Sequence, residues 1–171
     1  MKISTKRLSI RRIQLSDTES LTKLANHPAI VATTMRMPYP CTEEYIGAWI
    51  KKDLESSDEQ SGFFVISLKS ANEIIGVIGL EVDRENERAE LGYWLGLDYW
   101  NNGYCTEAAE AMLKYGFDDL CLHRIWTFYI EGNDASGRVL EKIGMIHEGT
   151  LKKHLKKNGI FKDLEYYGKI K

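Results

Sequence analysis

"LDYWNNGYCTEA", Leu97 to Ala108, sets two asparagines and a glycine between an aromatic run and the start of a helix. Downstream, Ala109, Met112, Leu113, Gly116, Phe117 and Leu120 recur at helical spacing and predict one apolar stripe on a helix over Thr106 to Leu120. Upstream, "RAELGYWLGL", Arg88 to Leu97, predicts a strand. A strand that passes through a turn into a helix is where open α/β sheets bind ligands. Taken alone, Asn101-Asn102-Gly103 is equally a turn that only feeds the helix. The rest of the chain decides between the two.

Towards the N-terminus, "RLSIRRI", Arg7 to Ile13, alternates and predicts a strand. Ser16 with Glu19 is a capping-box signal for a short helix carrying Leu21, Leu24 and Ala25, which stops near His27-Pro28. Val31 to Cys41, "VATTMRMPYPC", is irregular. A second helix starts at Thr42, with Glu43 and Glu44 in its first turn, and runs to about Leu54. Strands follow at Phe63 to Leu68 and Ile74 to Val82.

Beyond the central helix, Arg124 to Ile130 predicts a strand. "NDASGRVLEKIGM" predicts a short helix closed by Gly144 as a left-handed cap. The last two strands turn at Asn158-Gly159. The order β α α β β β α β α β β predicts an α/β (α+β) class: a mixed sheet with helices on its faces.

Composition narrows the function classes. A net charge of −2 argues against a dedicated nucleic-acid binder. The longest apolar run, "IIGVIGL" at Ile74 to Leu80, is too short to span a bilayer, and "MKISTKRLSIRR" lacks a secretory apolar core. Cys41, Cys105 and Cys121 have no paired spacing, and His27, His123, His147 and His154 are scattered, so no metal site is expected. The cysteines suggest reduced thiols and a cytoplasmic location. One domain over residues 1–171 is expected, with no boundary inside it.

Two spaced motifs now point further. The segment from "AELGYWLGLDYWNNGYCTEAAEAML" to "GNDASGRVLEKIGM" resembles the GNAT superfamily of acetyl-CoA-dependent N-acetyltransferases, and within it the ribosomal-protein N-terminal acetyltransferase branch (RimJ/RimL-like). The resemblance implies a mostly antiparallel sheet of about seven strands with helices on both faces. It also implies acetyl-CoA as co-substrate and an amine acceptor, either a protein N-terminus or a small molecule. Neither nucleic acid nor membrane is an implied partner, and monomer and homodimer both stay open.

Coenzyme A carries a pyrophosphate, and a helix N-terminus offers unpaired N–H groups and a positive dipole end. At Gly103 no Cβ blocks an approaching phosphate. The family pattern is Arg or Gln, two residues, Gly, one residue, then Gly or Ala. Here Trp100 holds the first place and small Cys105 the last. The coenzyme set that the resemblance implies is Leu95, Leu97, Asn101, Asn102, Gly103, Tyr104, Cys105, Thr106, Asn133 and Ser136. The two asparagine side chains are incidental to it.

The strand before the loop resembles the family's splayed strand, where backbone pairs with pantetheine. The Leu95 N–H would then face the thioester carbonyl as an oxyanion donor. The side chains of Tyr93, Trp94 and Tyr99 read as core or edge aromatics. Acetylation needs a neutral amine, hence a base. The resemblance implies an acidic residue at Glu90 facing the acceptor site, which makes it the candidate; burial beside aromatics would raise its pKa, and Glu81 is its rival.

Asn133 is expected to bond the pantetheine arm, or to cap its helix, or both. Many family members place a Tyr seven residues after this Asn to protonate the leaving thiolate. Leu140 stands there, and Ser136, acting through water, is the replacement candidate. A thiolate leaves easily, so the acid matters less than the base. "MRMPYP", Met35 to Pro40, is expected to wall the acceptor pocket or to pack as a loop, and the lysines of "LKKHLKKNGIFKD" to face solvent. A non-catalytic acyl-CoA-binding module is the alternative class.

Overall fold

Eight strands form one sheet in the computed structural model, which describes residues 2–56 and 58–171. The strands are β1 (Lys2–Ser4), β2 (Leu8–Arg12), β3 (Gly62–Leu68), β4 (Glu73–Asp83), β5 (Arg88–Leu95), β6 (Arg124–Ile130), β7 (Ile146–Lys157) and β8 (Ile160–Ile170). The helices are α1 (Thr18–Ala25), α2 (Pro28–Thr33), α3 (Glu43–Leu54), α4 (Tyr104–Lys114) and α5 (Asp134–Lys142). Strand order is β1-β2-β3-β4-β5-β6-β8-β7, and only β5 and β6 pair in parallel.

The α/β architecture, mixed and mostly antiparallel, matches expectation, with one strand more than about seven. That strand, β1, is three residues long, too short for a periodic signal. Pro28 starts α2 instead of only ending α1. It sits in the first turn, where a missing N–H costs nothing, and His27 Nδ1 accepts from the Ala29 N–H. The capping-box signal is also displaced: Asp17, not Glu19, accepts from the Gln14 N–H at 2.8 Å. Asp17 is buried and takes a bidentate Arg11 as well, while Glu19 pairs with Lys23 on the surface. The central helix begins at Tyr104, two residues early, and ends in a π turn over Tyr115–Asp119.

Alternation along the strands divides the core between two faces. Leu8, Ile10, Phe64, Ile66, Ile78, Leu80 and Leu91 pack with Ala108, Ala109 and Met112 of α4 and Leu140 of α5. On the other face Val65 and Val77 pack with Leu21 and Ala25 of α1 and Ile46 and Ile50 of α3. Among the described residues no helix is long and apolar enough to cross a membrane.

One feature of the register makes the site. β5 and β6 are aligned only at Arg88–Arg124, Ala89–Ile125 and Glu90–Trp126. Beyond Glu90, β5 stays on β4 as far as Leu95, and beyond Trp126, β6 stays on β8 as far as Ile130. The two strands therefore diverge, and the sheet opens between them.

Candidate active site

The opening is a cleft of about 610 Å³. Its walls include Glu81, Glu90, Tyr93 and Leu95 from β4 and β5, and Asn101, Gly103, Tyr104, Cys105 and Thr106 at the head of α4. Phe128 and Tyr129 of β6, Asn133, and Ser136, Arg138 and Lys142 of α5 complete that side. Arg36 and the side chains of Met35, Met37, Tyr45 and Trp49 close the other end. The sheet thus gathers most of the expected set. Leu97 and Asn102 do not line the cleft. Leu97 belongs to an exposed 3-10 turn, and the Asn102 amide donates back to the Trp100 carbonyl at 2.9 Å.

Backbone direction follows from pairing. The Gly96 N–H donates to the Ile75 carbonyl at 2.9 Å, and pairing with β4 continues without slip to Glu90 opposite Glu81. In an antiparallel ladder alternate residues bond the same neighbour. Leu91, Tyr93 and Leu95 therefore turn their N–H groups away from β4, toward the gap that β6 has left. The Leu95 carbonyl is held by the Trp100 indole N–H at 2.9 Å. That bond ties the end of β5 to the turn before α4, a role for Trp100 that the sequence did not disclose.

At the turn, Asn101 has φ 61° and Gly103 φ 74°, both left-handed. Gly103 is thus required by conformation as well as by the need for a bare backbone. It occupies the N-cap of α4, and among the described residues no side chain caps the helix. The first N–H groups of α4 are left to whatever enters the cleft. Arg7 braces the turn from β2's side. Its Nη1 donates to the Asn102 carbonyl at 2.9 Å, its Nε to Glu107 Oε2 at 2.6 Å, and its guanidinium lies 4.5 Å from the Tyr104 ring centre. Cys105, the departure from Gly or Ala, is half-buried, and burial pushes its thiol up to about 12. It therefore stays neutral beside a site for anions.

Glu90 is half-buried on the face shared with α1 and α3. Desolvation first, then the like charge of Glu81, raise its pKa to about 7, with Arg36 opposing. Asn133 caps α5: its Oδ1 accepts from the Ser136 N–H at 3.4 Å, and it lines the cleft too. Leu140 is buried in the core, so the helix brings no phenol to the cleft from that position. Tyr93 does, from the strand. Its hydroxyl lies 2.9 Å from Ser136 Oγ, so its side chain is not merely a core or edge aromatic.

Arg138 and Lys142 stand four apart on α5, a helical spacing legible in the sequence, and bring two cations to the cleft wall. Arg36 had no such signal. Of the "MRMPYP" loop, Met35, Arg36 and Met37 line the cleft. Lys157 is half-buried instead of solvated, and it donates to the Thr34 carbonyl and, at 2.6 Å, to the Val31 carbonyl.

A strand edge left unpaired by the sheet, a helix start without a side-chain cap and nearby cations suit a pantetheine arm followed by phosphates. Residues 7–146 match the family described as the acetyltransferase (GNAT) domain. The chain belongs to the GNAT acetyltransferase family. It is 32% identical over 167 residues to the uncharacterized N-acetyltransferase YnaD of Bacillus subtilis, covering 98% of this chain and 95% of that one. A GNAT acetyltransferase from Bacillus anthracis has a similar structure (TM-score 0.88, 30% identity, 99% of this chain and 98% of that one). The ribosomal-protein-S5-alanine acetyltransferase of Vibrio fischeri shares the fold (TM-score 0.87, 24% identity, 99% and 96% covered). This GNAT chain is an acetyl-CoA-dependent N-acetyltransferase.

Proposed function

We propose that the acceptor is a protein N-terminal α-amine and that Glu90 takes its proton, by direct attack in a ternary complex. The observation that carries this is a half-buried carboxylate raised to about 7 in the cleft wall. An N-terminal amine has an unperturbed pKa of roughly 7.7–8.0, close to that base, whereas lysine lies near roughly 10.4. A matched base at neutral pH is half ionised and moves the proton at small cost. The ribosomal-protein specificity of the Vibrio fischeri enzyme agrees with this acceptor, though the likeness to it is one of fold.

Acetyl-CoA supplies a thioester, an acetyl group on a good leaving sulfur. The chain supplies the rest. The N–H groups at Gly103, Tyr104, Cys105 and Thr106, with Asn101 at the turn, receive the pyrophosphate. The Leu95 N–H donates to the carbonyl oxygen that gains charge as the amine attacks. Asn133 serves the pantetheine arm, and the Ser136 hydroxyl serves the leaving sulfur. Cysteines free of disulfides fit a reducing cytoplasm.

A second acceptor class is favoured by one observation. Glu81 faces Glu90 in register, and a second carboxylate suits a small amine with a second ammonium. Free-thiol release separates the two. Peptides with free N-termini, the same peptides N-acetylated but with free lysine, and diamines are mixed with enzyme and acetyl-CoA. Turnover confined to free N-termini supports the proposal; turnover of diamines alone transfers it to the second class. Coenzyme binding with no turnover on any amine would sink both.

A further inference from the structure

The opposite walls of the cleft meet at two hydroxyls. Tyr93 reaches from β5 and Ser136 from the first turn of α5, with Oη 2.9 Å from Oγ and 3.4 Å from the Ser136 carbonyl oxygen. Both residues line the cleft. Tyr93 packs with the core on the α4 and α5 side, so it lies across β5 from Glu90. The two ends of the reaction, proton removal from the amine and departure of sulfur, are thereby placed on different sides of one strand.

Either hydroxyl of the Tyr93–Ser136 pair can donate, and the surroundings favour the phenol as donor. Burial holds the Tyr93 phenol far above its ordinary pKa, so it keeps its proton. Both atoms of Ser136 within reach of that proton are oxygens, the hydroxyl and the carbonyl. When the phenol donates to Oγ, one serine lone pair is occupied and the serine proton is turned elsewhere. A hydroxyl that accepts one hydrogen bond also donates a stronger one.

We propose that Tyr93 is a positioning residue that donates to Ser136 Oγ and turns the Ser136 proton toward the leaving sulfur. This rests on Ser136 serving that sulfur. A C–N bond forms as the C–S bond breaks, with the electron pair going to sulfur. The ammonium proton passes to Glu90 and then to water, and the second N–H proton, lost as the amide forms, also goes to water. The sulfur is held by the Ser136 hydrogen bond until it takes a proton from solvent. Full transfer from serine is not needed, because a thiolate is a far weaker base than an alkoxide. The strand thus brings to the leaving group the phenol that Leu140 does not provide.

Steady-state rates with acetyl-CoA and an accepted amine test this in Tyr93→Phe, Ser136→Ala and the double variant. Tyr93→Phe deletes one oxygen and leaves the ring in place, and thermal melting with coenzyme affinity controls for packing. Each single variant is expected to lower kcat about tenfold with KM for acetyl-CoA unchanged, and the double variant to fall no further than Ser136→Ala. A Tyr93→Phe enzyme with normal kcat, a loss seen in KM or melting alone, or an equal further loss in the Ser136→Ala background overturns the role of Tyr93. A normal kcat in Ser136→Ala overturns the reading of Ser136 itself, and Tyr93 with it.

Discussion

Glu81 and Glu90 stand directly opposite each other on β4 and β5, both on the cleft wall, with Glu81 exposed and Glu90 half-buried. Two like charges across a ladder disfavour joint ionisation. Desolvation contributes more, and together they lift Glu90 to about 7. Transfer by an ionised Glu90 is therefore expected to rise with pH through about 7. Glu81→Gln removes the like charge and should move that inflection to lower pH. Arg36→Gln removes the opposing charge and should move it higher. Glu90→Gln should lower kcat/KM by roughly 10²–10⁴ and abolish the inflection. A pH–rate profile of each variant measures this, and an inflection unmoved by Glu81→Gln would show that the pair does not couple.

The same carboxyl carries a cost in stability, with a definite sign. Its folded pKa is about 7 against an ordinary 4.5. Below the ordinary value both folded and unfolded chains hold the proton, and the burial is harmless. As pH rises through this window, the unfolded chain ionises first, and folding loses stability until Glu90 itself ionises above about 7. Glu90→Gln, inert but free of the buried charge, should be more stable than the parent at pH 8 by roughly 1–3 kcal/mol. For a chain of this length that is several degrees in melting temperature. The gap should close as pH falls toward 4.5. A Gln variant that melts lower than the parent at pH 8 would mean that the carboxylate gains more from its surroundings than burial costs it.

Much of the cleft lining could be read from the chain because the proposed coenzyme contacts are made by backbone. Gly103 with the small Cys105 and Thr106 announces a bare helix start, and the alternation of β5 places Leu95 and Glu90 on opposite sides of the strand. What could not be read depends on tertiary meeting. Nothing in "GYWL" says that Tyr93 reaches Ser136, or that the Trp100 indole holds the Leu95 carbonyl. Asp17 displaced Glu19 as the cap because Arg11 comes from the neighbouring strand to neutralise it. Pro28 began a helix where it had signalled only an end, since the same fixed φ serves both.

The turn at Gly103 is braced from a distant part of the chain. Arg7 bonds the Asn102 carbonyl and Glu107, and Glu107 also accepts from the Arg7 N–H and the Thr5 hydroxyl. Gly103→Val should weaken coenzyme binding by strain more than by collision. An added Cβ meets only Arg7 Nη2, at 3.5 Å, but a φ of 74° costs an L-residue about 1–2 kcal/mol. Arg7→Ala frees the Asn102 carbonyl without altering any cleft-lining residue. It should loosen the turn and raise the Kd for coenzyme A about tenfold, with a smaller effect on acetylpantetheine, which lacks the pyrophosphate. Calorimetric titration of both ligands decides it. Equal weakening for the two would assign Arg7 to general stability instead of the phosphate turn.

Cysteine reactivity tests the electrostatics of the helix start. Cys121 is exposed, Cys41 is buried, and Cys105 sits in the first turn of α4. A helix N-terminus ordinarily lowers a thiol pKa. Here burial outweighs it and pushes the Cys105 thiol up to about 12; burial raises Cys41 too. Only the thiolate alkylates, so at pH 8 about one Cys105 in ten thousand is reactive. Iodoacetamide followed by peptide mass spectrometry should label Cys121 first and spare Cys41 and Cys105. Labelling of Cys105 as fast as Cys121 would show that the dipole wins and that a thiolate forms there. A thiolate would set a negative charge against the phosphates meant for the same N–H groups. The spared thiol is therefore the outcome that a coenzyme site at Gly103 requires, and Cys105→Ser should leave the affinity for coenzyme A within about twofold of the parent.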